Sequence, residues 1–483
     1  MKDRYQPVIG LEIHIQLLTE RKMFAPEGFA FASAPNTWIS AVTLAHPGAL
    51  PAPNRAAVGH ALRLGLALGC EIDQTCYFSR KNYFYPDLPK GYQLSQDDRP
   101  ICRHGSVEFP MPDGSIRAIA LERIHLEEDA GKSLHDQSPD ETFIDLNRAG
   151  VGLLELVTRP ELHSAEEAGA LLAEIRRTVR RLGVGDGNME AGSLRCDANV
   201  SVKRPEDPQL GVRVEVKNIN SISFLIRAIQ FEIGRQIGLL EAGQAVQRET
   251  RTWDVASQRT LSMRVKETAD DYRYFPEPDL QPLRIPDAHL EEVRRSLPEL
   301  PAARFQRYRR ELALPVNEAL TLAEDPVFSD YFEALRPHAG DDRLAANWML
   351  GPVRSWLNDQ QLPPGGFPVQ PAMLGQLIAL VHAGRISHHL AREQAFPALL
   401  AQPDLDLERY VQQLDPGQAG SLTSALETAM QALMAQFPDE VKRYRGGKKG
   451  LIGFFVGHLM KQTGGKAQPA EANAVAKRLL ESP

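Results

Sequence analysis

Alternation of apolar and polar side chains marks the first element of the chain. From Val8 to Leu17, Leu11, Ile13 and Ile15 fall on one face and Glu12, His14 and Gln16 on the other, which predicts a half-buried strand. A second run, Ile119, Leu121 and Arg123 followed by Ile124 and Leu126, leads into an acidic turn of Glu127, Glu128 and Asp129. Residues 188–220 read as strand, turn and strand, with Arg195, Asp197 and Asn199 alternating on the first and Arg213, Glu215 and Lys217 on the second. Two strands that each show a face of charge and amide predict a polar cavity. Helical spacing appears after Asn54, which caps a helix from Arg55 to Leu68 that Gly69 stops. Ser164 and Glu167 form a capping box before a helix carrying Leu171, Leu172, Ile175, Val179 and Leu182, which Gly183 ends. A third helix is expected from Ser223 to Glu241. Past Pro286 the pattern turns helical, with Glu291 to Leu297, Val327 to Leu335 and Asn347 to Leu357 separated by joints rich in Pro and Gly.

A chain of 483 residues exceeds one core, and domains of ~100–200 residues imply two to four. Three pieces are expected: 1–286, 287–410 and 411–483. No apolar run approaches the ~20 residues that span a bilayer, and MKDRYQPVIGLEIH lacks the apolar core of a signal peptide, so a cytoplasmic protein is expected. Cys70, Cys76, Cys102 and Cys196 contain no Cys-x-x-Cys pair and read as reduced thiols. The net charge of −7 argues against a general nucleic-acid binder, yet a global sum hides local patches. Residues 441–480 hold nine Lys or Arg against the single acid Glu471, and Leu451, Ile452, Phe454, Phe455 and Leu459 give that segment a core.

Three stretches carry candidate chemistry. In Ile119 to His135, four carboxylates (Glu122, Glu127, Glu128, Asp129) accompany His125 and His135. The Gly131-Lys132-Ser133 triplet beside them is no phosphate loop, because the glycine required five positions earlier is Leu126. Such crowded acids need arginine, lysine or a divalent cation among them, unless they form a solvated surface turn. Glu12 and His14 point the same way and can share a cation, though a solvated face is the commoner fate of Glu-x-His. Phe78 to Gln96 packs five aromatics among Arg80, Lys81 and Lys90, which suits stacking and phosphate contacts or, alternatively, a loop that plugs a core.

The segments VIGLEIHIQL, FSRKNYFYPDLPKGYQLSQ, RIHLEEDAGKSLH, IDLNRAGVGLLELV, NMEAGSLRCDANVSV, VEVKNINS and KETADDYRYFPEPDL resemble, in this order, the B subunits of the aspartyl/glutamyl-tRNA(Asn/Gln) amidotransferase family. The resemblance runs from Tyr5 to the lysine-rich C-terminal segment and is looser between 285 and about 410. It implies an α+β catalytic domain with a glutamine-synthetase-like antiparallel sheet, followed by all-α helical and tail domains. It also implies a ligase that uses ATP and magnesium to phosphorylate the side-chain carboxylate of Glu-tRNA(Gln) or Asp-tRNA(Asn). The A subunit, an amidase, supplies ammonia from glutamine, and a small C subunit makes up a heterotrimer with these two. Carried onto this chain, the family places Glu12, His14, Glu127, Glu128, Glu215 and Asp197 around metal, and Lys81, Lys90, Arg195 and Lys217 on ATP phosphates. Glu12, His14, Lys217 and Arg195 form the catalytic set. Lys442, Arg443, Lys448, Lys449, Lys461 and Lys466 would contact tRNA in the tail. The chemistry itself demands such a set, since a carboxylate must be activated before an amine can attack, and ATP approaches a second anion only with divalent cations and basic side chains.

In one place the chain departs from the family. Where many relatives carry a cysteine zinc knot, this sequence has Ala25, Glu27, Ser40 and Thr43, so no zinc is expected. A tRNA-binding module without catalysis would have lost Glu12, His14, Glu127 or Glu215, and none is lost. A self-sufficient amidotransferase would need a glutaminase cysteine setting or an amidase Ser-Ser-Lys signature, and neither is visible.

Overall fold

The computed structural model describes residues 4–96, 98–135, 137–265, 272–414, 418–462 and 469–481, and separates into two compact units, Met1–Arg307 and Tyr308–Pro483. The first unit is built on a ten-stranded sheet. Its order is Arg259–Val265, Glu249–Asp254, Val214–Ile219, Leu194–Lys203, Gln6–Gln16, Gly152–Thr158, Ile116–Glu128, Cys102–Arg103 and Glu71–Ile72, with Ser106–Pro110 also pairing Ile116–Glu128. The opening strand thus lies near the middle. Neighbours run antiparallel except Val214–Ile219 and Glu249–Asp254, which are parallel. The sheet is therefore mixed where an antiparallel one was expected. The helix Ile222–Glu241 lies between these two strands in sequence and carries the chain back to the same end, as a parallel connection requires.

One face of this sheet is apolar. Leu11, Ile13 and Ile15 join Leu154, Leu156, Ala198, Val200 and Val216 in a core that also holds Leu171, Leu172, Ile175 and Val179 of helix Ala165–Leu182 and Leu225, Ala228 and Ile229 of helix Ile222–Glu241. Period-two alternation then assigns the polar residues of the same strands to the opposite face. The caps hold as the sequence implies. Asn54 accepts from the Ala56 amide ahead of Arg55–Ala67, and Gly69 and Gly183 take φ of 68° and 66°. The capping box closes differently: Ser164 accepts from the Glu167 amide, but Glu167 reaches the amide of His163, at 2.7 Å, one residue before the cap.

Two expectations need correction. Glu127, Glu128 and Asp129 do not form an open turn, because the strand continues to Glu128 and pairs with Gly152 at its last residue. The three acids are 3%, 3% and 6% exposed. The helical region does begin at Asp287, but Leu290 is buried in the sheet's core and Leu297 and Leu300 pack against it, so the first unit extends past Pro286.

Glu299 fastens this extension. Its carboxylate accepts from Arg304 Nε at 2.9 Å and from Arg307 Nε and Nη2 at 2.8 Å each. The Arg307 hydrogen bond, aided by Arg304, outweighs partial burial and lowers the Glu299 pKa to about 2 from 4.5. A depressed carboxylate stabilises the fold above its unfolded pKa and loses that contribution as pH falls through the folded value. Glu299→Gln should therefore cost on the order of 1 kcal/mol at neutral pH, because solvent screens the partly exposed pair. Denaturant titrations from pH 7 to pH 2 should show the difference constant above about pH 5 and shrinking below pH 4.5. A difference that grows on acidification would refute the assignment.

The second unit is helical, with Tyr308, Phe332 and Trp348 fully buried. The helix expected over Val327 to Leu335 is Pro326–Ala339, and the one expected over Asn347 to Leu357 is interrupted by a wide turn at Met349–Val353. Pro352 has no amide to donate there, so the regular ladder cannot pass through it. A separate cluster, including Leu426, Met430, Leu433, Tyr444, Phe455, Leu459 and Val475, forms the core of the C-terminal helices. Among the described residues, no helix is long and apolar enough to cross a membrane.

Candidate active site

Five adjacent strands bring their polar faces together. Glu12 lies opposite Asp197, and His14 lies between Arg195 on one neighbour and Glu155 on the other. Asn199 faces Glu215, and Glu155 faces His125. Of these, Glu12, His14, His125, Glu155, Asp197 and Glu215 line a cavity of about 380 Å3, together with Lys81, Tyr272 and Tyr274 from outside the sheet.

The acids sort into two groups. Glu12, Asp197 and Glu215 form one, and His14, Glu127 and Glu155 the other; within each, one ligand atom per residue lies within 4.8 Å of the rest. In the first group, Lys217 pairs with Asp197 and stands 3.0 Å from Glu215, while Asn199 Nδ2 donates to Glu12 at 2.8 Å. Burial disfavours the Lys217 ammonium, but Asp197 and Glu215 outweigh it and raise its pKa above the usual lysine range. In the second group, His14 Nε2 lies 3.3 Å from Glu155 and 3.6 Å from Glu127, and His125 Nε2 lies 3.7 Å from each. Burial works against the His14 imidazolium, yet the Glu155 hydrogen bond and the charges of Glu127, Glu155 and Asp197 raise its pKa to about 9. Glu155 moves the opposite way: burial favours its neutral form, but His125, His14 and Arg123 hold it well below the ordinary carboxylate range.

Of the residues named from sequence, Glu12, His14, Glu127, Asp197, Glu215, Lys217 and Lys81 line this cavity. Glu128 does not. Successive strand residues face opposite sides, so Glu128 turns from Glu127 toward Lys90, with which it pairs, and accepts from the Leu94 amide at 2.9 Å. Lys90 is thereby drawn to Glu128, apart from the two acid groups. Arg195 shares the strand face of Asp197 but is held by Asp129 at 2.6 Å. Glu122 pairs with Arg159 at the surface, and His135 bonds to Thr142. Sequence reasoning overlooked Glu155 and gave His125 no role. The signal for Glu155 was a lone acid inside the apolar run GLLELV.

The positions of the absent cysteine knot hold a polar one. Thr43 hydroxyl bonds to Glu27, Lys22 Nζ lies 3.3 Å from Glu27 and donates to the Trp38 carbonyl at 2.7 Å, and Ser40 accepts from the Thr43 amide at 3.4 Å. Ala25 is buried beside them. In the C-terminal helices, Lys442, Arg443, Lys448, Lys449 and Lys461 are exposed, and Lys449 lies 4.4 Å from the Tyr444 ring centroid. Lys466 lies outside the described residues.

Comparison with known proteins bears on both units. Residues 7–291 match the GatB/GatE catalytic domain family and residues 330–480 the GatB domain family. The B subunit of the aspartyl/glutamyl-tRNA(Asn/Gln) amidotransferase of Anaeromyxobacter dehalogenans strain 2CP-C is 47% identical, with 99% of each chain covered. Its counterpart in Myxococcus xanthus is 44% identical over 99% of this chain and 98% of the relative. That of Chlorobium luteolum is 45% identical over 99% and 100%.

Proposed function

The chain belongs to the family of aspartyl/glutamyl-tRNA(Asn/Gln) amidotransferase B subunits, and we propose that its cavity performs the carboxylate-activating step of that ligase. With ATP, the side-chain carboxylate of Glu-tRNA(Gln), Asp-tRNA(Asn) or both becomes an acyl phosphate. Ammonia then yields Gln-tRNA(Gln) or Asn-tRNA(Asn). The observation that carries the assignment is the juxtaposition of two acid groups with Lys217 and Lys81 in one cavity.

A carboxylate oxygen attacks the γ-phosphorus and the bond to ADP breaks; ammonia then attacks the acyl carbon and phosphate departs with the bridging oxygen. Both steps crowd negative charge, so the protein's contribution is positioning and electrostatic stabilisation. Glu12, Asp197 and Glu215 offer three carboxylate oxygens, a donor set that fits a hard cation, and we assign Mg2+ to them. Bound there, Mg2+ would neutralise phosphate charge. His14, Glu127 and Glu155 would hold a second metal ion once His14 gives up its proton, with the softer imidazole as one donor. Lys217 and Lys81 hold phosphoryl oxygens, Asn199 keeps Glu12 oriented, and His125 steadies Glu127 and Glu155.

The finer reading follows the family. The sheet is of the glutamine-synthetase-like kind, the amidase and a small third partner, the A and C subunits, join this chain in a heterotrimer, and the sheet unit, the helices after it and the C-terminal helices serve as catalytic, helical and tRNA-binding pieces. The separate core of the C-terminal helices and their exposed basic residues support the last of these. No zinc is expected there, because Ala25, Ser40 and Thr43 supply no thiolate and one oxygen of Glu27 is already engaged by Thr43 and Lys22. Elemental analysis should find well under one zinc per chain; a stoichiometric metal would mean that Glu27 and another donor bind it. The function is tested by ADP release from ATP, measured with and without an amidase partner. ADP should form only when Glu-tRNA(Gln) or Asp-tRNA(Asn) is present, and release that ignores the misacylated tRNA would overturn the assignment.

A further inference from the structure

The phosphorylation chemistry leaves one feature of the cavity wall unexplained. Tyr272 and Tyr274, which line the cavity, meet edge to face with centroids 6.0 Å apart. Tyr83 meets Tyr272 at 6.2 Å, and Tyr85 meets Tyr83 at 6.0 Å, again edge to face. The rings thus form a ladder that starts in the cavity and ends in solvent, where Tyr85 is 62% exposed. Lys81 Nζ lies 4.9 Å from the Tyr272 centroid and 5.9 Å from that of Tyr83, which places a cation along the same ladder. The neighbouring Phe84 is 80% exposed, yet its ring is parked against Gly91, where a Cβ would come within 2.9 Å of Phe84 Cε1. Rings that face water bury little of their own surface in the fold, and their flat faces offer a π-surface to a ligand.

We propose that Phe84, Tyr85 and the tyrosines behind them, with Lys81, form a stacking platform for an adenine base, that of ATP or that of the terminal adenosine whose ribose carries the aminoacyl ester. This assignment rests on the phosphorylation reading, which brings both adenosines to this cavity. Aromatic rings with an interleaved cation bind the face of an unpaired base without needing its hydrogen-bonding edges. The base docks at the ladder while the reacting end, phosphate chain or acyl group, lies among Lys217 and the acids. An exposed ring can also serve a protein partner, and the experiment separates the two.

The test uses the complex co-purified with its amidase partner, in wild-type form and with Phe84→Ala, Tyr85→Ala and Tyr85→Phe. Equilibrium binding is measured for ATP, for inorganic tripolyphosphate and for an RNA hairpin ending in single-stranded adenosine. Each alanine variant should weaken either ATP or the hairpin about tenfold, leave tripolyphosphate within twofold, and be matched by wild-type affinity in Tyr85→Phe. Weakened ATP assigns the platform to the nucleotide, and a weakened hairpin assigns it to the acceptor end. Unchanged affinity for both, or loss of the amidase partner from the purified complex, would overturn the proposal, the latter marking the rings as a protein interface. Because binding is read without turnover, a wild-type complex that forms no ADP would count against the phosphorylation reading alone. Both surface rings are exposed, so their removal leaves the core intact.

Discussion

Glu12→Gln will suppress tRNA-dependent ADP formation by at least about a hundredfold while glutamine hydrolysis by the amidase partner continues. The size of the effect follows from position. Glu12 is one of three carboxylates whose oxygens converge, and it is aligned by Asn199 and by register with Asp197 across the strand pair. Replacing even outer partners of a metal ligand costs about 10–100-fold, and a direct ligand should cost more. The amide keeps the shape of the side chain but not its charge, so the fold is expected to survive. Normal ADP formation by the variant, assayed with saturating ATP and Glu-tRNA(Gln), would remove Glu12 from the metal set. Glu155→Gln provides the companion measurement, since it tests a residue that only the three-dimensional arrangement identified.

Removing the chain after Leu414 should raise the KM for misacylated tRNA more than tenfold and leave saturating kcat within a few-fold. The cut is placed there because Leu407 and Val411 are buried in helix Leu407–Leu414, so a cut at 411 would sever that helix. The lost piece has its own core, which makes it separable, and it carries the exposed Lys442, Arg443, Lys448, Lys449 and Lys461. Each phosphate neutralised by such a residue adds affinity that falls with salt, so truncation should also flatten the salt dependence of KM. Binding remote from the reacting carboxylate stabilises ground and transition states alike, hence the preserved kcat. Steady-state titrations with Glu-tRNA(Gln) at two salt concentrations check this, and an unchanged KM or a collapse of kcat would show that the tail has another task.

Much of the site was legible because alternation is a local property. A strand that places Leu11, Ile13 and Ile15 in a core must place Glu12 and His14 on the other side, and the same rule aligned Asp197 with Asn199 and Glu215 with Lys217. Helix ends were legible for the same reason, since Asn54, Ser164, Gly69 and Gly183 act on backbone groups a few residues away. The family resemblance rested on ordered blocks of this kind.

What the tertiary structure alone decided was who meets whom between strands. The pairing of Gly152–Thr158 with both Gln6–Gln16 and Ile116–Glu128 puts Glu155 between His14 and His125, although these residues are widely separated in sequence. The same register leaves Glu128 on the far side with Lys90, two residues that the family resemblance assigns to metal and phosphate. It also decided between the two fates open to the acidic stretch, burying its carboxylates among Lys90, Arg148 and Arg195 from three other segments rather than leaving a solvated turn. Periodicity specifies the face on which a side chain lies, but the charge that balances it comes from a distant stretch of chain, and long-range pairing is set by packing of the whole sheet rather than by any local pattern.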